Sequence, residues 1–251
     1  MDHFNGCTFR PELPEGADIR EQKILLHCCC APCSTAILEW MVAEDLRPGV
    51  FFSNSNIVPY DEYMKRRDEL GRYAASFGLE VVDDEYDHGA WLEHVISSAG
   101  TALAGPERGP RCLACFEFRL LRAAKYAASH GYDVLTTTLA SSRWKDLSQV
   151  DAAGQLAVAS VDTLVPEKTW KAGIRRPAGA GLCESKVVEP ERPQGVWGRP
   201  NPQLKWWGQN WRKGGMQERR NFLVKSRALY NQTWCGCEFS QRKEVYCSPS
   251  I

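Results

Sequence analysis

The sequence has no apolar run approaching the roughly 20 residues that a membrane-spanning helix needs, although 43% of its 251 residues are hydrophobic. Its first residues, MDHFNGCTFRPELPEG, also lack the apolar core of a secretory signal. These two absences argue against a membrane protein and predict a cytoplasmic location. A chain of this length suffices for one large domain, or for one domain with an appendage.

The sequence has no excess of charge of either sign, because it contains 31 Lys and Arg residues and 31 Asp and Glu residues. A basic field over the whole surface is therefore excluded, although a local basic stripe is not. Three nucleotide-binding motifs are absent: G-x-G-x-x-G, the P-loop and the Ser-Gly-Gly-x-Asp-Ser pyrophosphatase loop. We therefore expect no nucleotide cofactor, and any electrons must come from an external donor.

Strands and helices alternate through the first two thirds of the chain. Strands are predicted at KILLHCCC (23–30), GVFFSNSN (49–56), LEVVDDEY (79–86) and YDVLTTTL (132–139). Helices are predicted at 34–46, 60–78, 88–100, 111–131 and 148–160. The alternation predicts an α/β fold, a Rossmann-like parallel sheet with helices on both faces. Ligands of such sheets bind beyond the carboxyl ends of the strands.

Cysteine is abundant, with 11 residues. An odd number cannot pair completely, and a reducing cytosol disfavours disulfides, so such cysteines are more often metal-binding or catalytic. Three clusters stand out: Cys28, Cys29, Cys30 and Cys33 after the first strand, Cys112 and Cys115 at a helix start, and Cys235 and Cys237 around a glycine. Cys7, Cys183 and Cys247 are scattered, and we interpret them as bystanders.

The spacing inside the clusters suits metal ligands. A Cys-x-x-Cys at a helix start lets two sulfurs converge while nearby N–H groups stabilise the thiolates. Six or seven thiolates exceed the four of a tetrahedral zinc site and suit an iron–sulfur cluster with a further metal beside it. Some alternatives stay open, because Cys28 can pack as a core residue and His27 can be a ligand or a hydrogen-bonded histidine.

Composition divides the chain into four segments. Residues 1–22 form an N-terminal extension, and residues 23–164 form the α/β catalytic core. Residues 165–204, rich in Pro and Gly, predict an insertion or long loop. Residues 205–251 form a C-terminal segment with a helix at 214–230, and we expect this segment to complete the metal site.

Five motifs occur in order: HCCCAPC, SNIVPYDEYMKR, ERGPRCLACFEFRL, TTTLASSRWK and YNQTWCGCEFS. Together they resemble the cobalamin-independent epoxyqueuosine reductase family, from about Lys23 to Ser240. The resemblance implies tRNA as the partner and reduction of the epoxide of epoxyqueuosine at the wobble position to queuosine, with loss of water. It also implies a [4Fe-4S] cluster and an adjacent iron ion. The ligands implied by position are Cys29, Cys30, Cys33, Cys112, Cys115, Cys235 and Cys237.

The sequence departs from the family pattern at three places. Cys28 stands where an apolar residue is usual, and Arg143 stands where we expect proline. The insertion at 165–204 is longer than expected, which bears on tRNA docking. Some relatives have an aspartate near the place of Cys33, so its role as a ligand is the least supported of the seven.

The reaction needs a proton donor. The side chains that carry a suitable group near the motifs are Tyr60, Asp61, Glu62, Glu117 and Asp146, of which we expect Tyr60, Glu117 and Asp146 to be catalytic. The alternative is structural: Asp61 lies where a helix begins, and Glu117 is an exposed helical residue.

A basic stretch with interleaved tryptophans follows the insertion. Residues 205–227, KWWGQNWRKGGMQERRNFLVKSR, include seven basic side chains and a single acid, Glu218. This pattern suits phosphate contact and stacking of splayed bases, although the tryptophans can instead be core residues. The predicted RNA contacts are Lys205, Arg212, Lys213, Arg219 and Arg220, together with Arg143 and Lys145 beyond the last predicted strand.

Three other functions compete with epoxide reduction. One is a different iron–sulfur enzyme acting on tRNA, such as a sulfur transferase, which the absent phosphate-binding loop disfavours. The others are a zinc-stabilised RNA-binding module without catalysis and a dithiol oxidoreductase. Metal content distinguishes all of them: iron with sulfide, zinc alone, or no metal.

Overall fold

The computed structural model describes residues 19–162 and 204–240. Most of the N-terminal extension, almost all of the insertion and the residues after 240 lie outside this part of the chain, as do Cys7, Cys183 and Cys247. The strands are β1 (Ile24–Cys28), β2 (Gly49–Phe52), β3 (Val81–Asp83), β4 (Val134–Thr137) and β5 (Lys205–Trp206). The α-helices are α1 (Ala31–Ala43), α2 (Tyr60–Ala75), α3 (His88–Ala99), α4 (Pro110–Ser129), α5 (Leu147–Asp162) and α6 (Met216–Ser226).

The strands form one parallel sheet in the order β3–β2–β1–β4–β5. Every residue of β1 and β4 is buried, as expected for central strands covered on both faces, which need continuous apolar runs. The helices pack in two sets, with α1 against α2 and α6, and α4 against α3 and α5. The predicted α/β fold with a parallel sheet is confirmed.

The strand order reverses between β1 and β4, because the chain proceeds outward from β1 to β3 and then returns to the other side of β1. Open α/β sheets bind ligands in the crevice outside the carboxyl ends of the strands at such a switch point. Two loops flank this crevice: residues 29–30, which follow β1, and residues 138–146, which follow β4. The first carries cysteines, and the second carries the motif TLASSRWKD.

Each of the four predicted strands is shorter in the structure than predicted, and the sheet has one strand more. β4 ends at Thr137, because a short 3-10 helix (Thr138–Ser141) begins there. The side-chain oxygen of Thr137 accepts a hydrogen bond from the N–H of Leu139. β5, which we did not predict, adds residues from the C-terminal segment to the edge of the sheet. No helix in residues 19–162 or 204–240 is long and apolar enough to cross a membrane.

Candidate metal centre

Three thiols gather where β1 ends and α1 begins. The Sγ atoms of Cys29, Cys30 and Cys33 lie within 4.8 Å of one another, and all three residues are buried. Cys30 is the extended residue that precedes α1, and Pro32 occupies the first turn, where its missing N–H has no intrahelical partner to lose. The positive end of the helix dipole therefore lies at these sulfurs. We call these residues the three-thiol group.

The electrostatics of the three-thiol group fit a bound cation. Hydrogen bonds from Cys30 and Cys33 hold the pKa of Cys29 well below its usual range. Burial raises the pKa of Cys30, and the hydrogen bond with Cys29 raises that of Cys33. Three buried thiolates without a cation would be strongly unfavourable. A bound metal ion would remove this penalty and would take all three sulfurs as thiolates.

His27 and Cys28, which directly precede the group, have structural roles. The Nδ1 atom of His27 lies 2.7 Å from the Oγ1 atom of Thr137, and its Nε2 atom donates to the carbonyl of Ser53 at 3.0 Å. Both ring nitrogens are therefore engaged, and burial lowers the pKa of His27 to about 3. Cys28 is fully buried in β1, and burial raises the pKa of its thiol, so it packs as a small hydrophobic residue.

A second group of thiols is assembled from two distant segments. Cys112 and Cys115 lie at the beginning of α4, whereas Cys235 and Cys237 flank Gly236 near the end of the described chain. Burial raises the pKa of Cys112 and of Cys115, and the neighbouring Cys235 raises both further. Burial, together with Cys235, also raises the pKa of Cys237 to about 11. Cys115 and Cys237 also pack in one buried cluster with Trp91. We call these four cysteines the four-thiol group, although no three of their sulfurs lie within 4.8 Å of one another.

The Cys-Gly-Cys turn is fixed from β2 and α2. The carbonyl of Gly236 accepts a hydrogen bond from the N–H of Val58 at 2.9 Å. The buried Arg66 donates to the carbonyl of Cys235 at 2.9 Å, and its guanidinium also pairs with Glu62 at 2.7 Å. Gly236 has φ 120°, a backbone conformation that residues with a Cβ rarely adopt. The glycine between the two cysteines is thus required by the turn itself.

A buried guanidinium lies between the two thiol groups. Arg119 is 1% exposed and stands one helical turn after Cys115 on α4. It lowers the pKa of both Cys29 and Cys115. Its Nε atom donates to the carbonyl of Ser53 and its Nη2 atom to the side chain of Asn54. Its Nη1 atom has no hydrogen-bond partner among the described residues, so the site offers a donor for an anionic group that the protein itself does not supply.

Lys145 provides a second cation at the thiols. Burial alone would lower the pKa of its ammonium group, but the thiolates of Cys235, Cys29 and Cys33 raise it above its usual range. Those three cysteines belong to both thiol groups, so Lys145 interacts electrostatically with both. Lys145 is partly buried, and its predicted contact with RNA stays a prediction. The donor set, seven thiols with two cations beside them, fits an anionic iron–sulfur centre.

The three residues predicted to be catalytic lie in different settings. Tyr60 is 44% exposed at the beginning of α2. Glu117 is partly buried on α4. Asp146 accepts hydrogen bonds from the side chain of Ser148 and the N–H of Gln149, which lower its pKa. Asp146 thus caps α5, and its predicted proton-donor role stays a prediction.

The predicted RNA contacts also separate. Lys213 and Arg143 are exposed, and Arg220 bonds to the side chains of Asn221 and Asn231. Arg219 forms a two-bond ion pair with Glu39 of α1 at 2.7 Å.

The other two predicted contacts have structural positions. Lys205 forms part of β5, and Arg212 donates to the carbonyls of Ala140 and Lys145. Trp207 and Trp211 are 2% exposed, so the core alternative holds for these two tryptophans.

The sequence reasoning missed Arg66 and Arg119. Arg119 was detectable, because it follows Cys112 by seven residues and Cys115 by four, and so shares their face of α4. Arg66 had no such signal, since its partners Cys235 and Trp234 lie far along the chain.

Comparison with known proteins agrees with this arrangement. A family model described as Epoxyqueuosine reductase QueH matches residues 24–180 and 195–243. The chain is 32% identical over 231 residues to the Haemophilus influenzae protein named Epoxyqueuosine reductase QueH, covering 92% of this chain and 75% of that protein. The proteins of the same name from Acinetobacter baylyi and Thermotoga maritima are 31% and 29% identical, and the matches cover 84% and 95% of their lengths. The chain therefore belongs to the epoxyqueuosine reductase QueH family.

Proposed function

We propose that this protein reduces the epoxide of epoxyqueuosine at the wobble position of tRNA to the cyclopentene of queuosine, the last step of queuosine synthesis. The reaction consumes two electrons and two protons and releases the epoxide oxygen as water. The family match supports the reaction. The observation that carries the proposal is the buried group of Cys29, Cys30 and Cys33 at the switch point of the sheet. The packing of Cys115 with Cys237, from two further motifs, supports it.

The two thiol groups suggest how the ligands divide. The four-thiol group has the number of thiolates that a [4Fe-4S] cluster takes. The three-thiol group leaves a position open on a single iron ion. When bound, such centres supply electrons one at a time, and an iron ion with an open position polarises a bound oxygen. We assign the cluster to Cys112, Cys115, Cys235 and Cys237, and the lone iron to Cys29, Cys30 and Cys33.

The surrounding residues have separate tasks in this proposal. Arg66 and the Val58–Gly236 hydrogen bond hold the Cys-Gly-Cys turn in place. Arg119 offers its Nη1–H to the bound centre or to the departing oxygen. Lys145, an ammonium among thiolates, offsets their negative charge. Tyr60, which is exposed at the beginning of α2, Glu117 and Asp146 stay predictions for the proton source.

The partners follow from the chemistry. The substrate is tRNA that carries epoxyqueuosine, and an external protein or chemical donor supplies the electrons, since the sequence contains none of the nucleotide-binding motifs considered. The proposal includes a cytoplasmic location, where thiolate ligands stay reduced.

The test begins with the metal content of anaerobically purified protein. We expect about four to five iron atoms and about four sulfides per chain, with a brown colour that dithionite bleaches. The protein should then convert epoxyqueuosine-containing tRNA to queuosine-containing tRNA. Stoichiometric zinc without colour, persisting after anaerobic reconstitution with iron and sulfide, would instead support a zinc-stabilised RNA-binding module.

Two matched variants test the ligand assignment. Cys112→Ala should abolish both the cluster and turnover, because it removes one of four thiolates. Cys28→Ala changes a buried cysteine that the structure places in the core, next to the three-thiol group. This variant should keep both the cluster and turnover. Turnover by a cluster-free Cys112→Ala protein would refute the iron–sulfur mechanism.

A further inference from the structure

Trp144 is an exposed aromatic residue beside the metal centre. Its relative exposure is 52%, and it lies in the loop between β4 and α5 that flanks the switch point. An exposed tryptophan contributes little burial free energy to folding, because much of its apolar surface stays in water. The function described so far assigns it no role.

The loop that carries Trp144 is fixed at three successive carbonyl groups. Arg108 donates to the carbonyl of Arg143 at 2.7 Å and to that of Trp144 at 3.3 Å. Arg212 donates to the carbonyl of Lys145 at 2.9 Å. Two guanidinium groups from elsewhere in the chain therefore hold this backbone, so the indole is presented to solvent on a positioned loop.

The same contacts tie Trp144 to the thiols on both sides. The backbone N–H of Arg108 donates to the Sγ atom of Cys112 at 3.3 Å, in the four-thiol group. Ser141, in the same stretch between β4 and α5, donates from its Oγ atom to the carbonyl of Cys33 at 3.0 Å, in the three-thiol group. Trp144 therefore stands at the mouth of the metal centre.

The charge around the indole is positive. The guanidinium of Arg143 lies 4.8 Å from the Trp144 ring centroid, and the side chain of Arg108 is exposed beside the same loop. An aromatic platform with basic groups around it is the chemistry that binds unpaired nucleotides, since bases stack on the ring and phosphates pair with the cations. An acidic partner would pair only with the cations, and an apolar partner would contact only the ring.

We propose that Trp144 stacks on an unpaired base of the anticodon loop, with Arg143 at a neighbouring phosphate, and so places the wobble nucleoside at the thiols. This inference rests on the proposed function, because it takes the anticodon loop as the substrate. It moves the principal RNA contact from the basic stretch at 205–227 to the loop between β4 and α5.

The test measures binding without turnover. Iron-loaded, anaerobically purified protein is titrated into a fluorescein-labelled, unmodified anticodon stem–loop RNA, and the dissociation constant follows from anisotropy. Trp144→Ala should raise the dissociation constant about 5- to 150-fold, the range for loss of one base–aromatic stack. Trp144→Phe should recover most of the affinity, since phenylalanine still offers a ring. Arg143→Ala should weaken binding and lessen its dependence on salt by about one unit of slope.

Phe222 provides the matched control. It is 57% exposed and lies under Arg219 at 5.1 Å, the same aromatic–guanidinium pair on α6. Phe222→Ala should change the dissociation constant less than twofold. An equal or larger effect there than at Trp144 would overturn the inference and place the RNA on α6.

The remaining outcomes separate this inference from the proposed function. If the wild-type protein fails to bind anticodon RNA and fails to reduce epoxyqueuosine-tRNA, both fall. If it binds and reduces the substrate while Trp144→Ala, with unchanged iron content, binds equally well, only the Trp144 inference falls. Unchanged RNA affinity with slower reduction by a protein donor would assign Trp144 to the donor interface instead.

Discussion

Replacing Gly236 by alanine should disrupt both the fold and the metal centre. Gly236 has φ 120°, and a side chain held there costs on the order of 1–3 kcal/mol. A Cβ atom would also lie 3.0 Å from Cγ1 of Ile57 and 3.1 Å from Nη1 of Arg66. Such overpacking adds a cost of similar size, so we expect Gly236→Ala to lower the free energy of unfolding by about 2–4 kcal/mol.

Gly71→Ala is the control for this substitution. Gly71 lies inside α2, and a Cβ atom there would meet nothing within 4 Å. Alanine in a helix interior should stabilise the protein by about 0.5–1 kcal/mol. The same substitution is therefore expected to lower the free energy of unfolding at Gly236 and to raise it at Gly71.

The assay is urea unfolding of metal-free, reduced protein, followed by iron titration of each variant. Gly236→Ala should lower the urea midpoint and also reduce the iron bound, because a shifted turn displaces Cys235 and Cys237 together. Gly71→Ala should raise the midpoint and bind iron as the wild type does. A Gly236→Ala protein with the wild-type midpoint and full iron content would show that the turn does not position these ligands.

Three further predictions concern buried groups around the centre. Arg66→Met removes the ion-pair partner of Glu62 and frees the Cys-Gly-Cys turn. Urea unfolding should show a loss of about 3 kcal/mol, and the iron content should fall; a variant with full iron would contradict the positioning role. Burial lowers the pKa of His27 to about 3, so the contribution of neutral His27 to the free energy of unfolding is complete above pH 6.5. It is lost as pH falls toward 3, by up to about 1.4 kcal/mol per pH unit. Metal-free His27→Gln should show a flatter pH dependence of unfolding between these limits, and an unchanged slope would argue against a neutral His27. Arg119→Gln removes a buried positive charge from the centre, so spectroelectrochemistry of the iron-loaded variant should give a more negative reduction potential than the wild type. Arg122→Gln is the control on the same helix. Equal potentials in the wild type and Arg119→Gln would refute the electrostatic role.

The central part of the fold was predictable because its signals are local. The apolar runs of β1, β2 and β4 and the intervening helices each carry their own periodicity. The switch point follows from the order of these elements together with the usual rules of parallel sheets. β5 was not predictable, because Lys205–Trp206 has only two residues and no period, and its pairing with β4 depends on distant contacts.

The clustering of the cysteines suggested metal binding, and the resemblance implied which of them are ligands, but their surroundings were not predictable. The basic stretch at 205–227 combined tryptophans and cations in a pattern that suits RNA, yet Trp207 and Trp211 pack with Trp40 of α1, with ring centroids 6.4 Å and 5.8 Å from it. Sequence shows which residue types are near one another along the chain. It does not show that Arg212 turns toward backbone carbonyls or that Lys145 interacts electrostatically with the cysteines.

The cations beside the thiols explain how one protein can tolerate so many cysteines in its interior. In the proposed centre, seven thiolates would carry more negative charge than a [4Fe-4S] core and one ferrous ion neutralise, and burying the excess in a low-dielectric interior would be costly. Arg119 and Lys145 supply positive charge where both thiol groups can use it. Because Arg119 cannot lose its proton in a protein, its charge persists through every redox state, whereas the charge of the centre changes with each electron. The cations should therefore favour the reduced centre, which is the state that must give electrons to the epoxide, and removing them should make the centre harder to reduce while leaving the number of ligands unchanged.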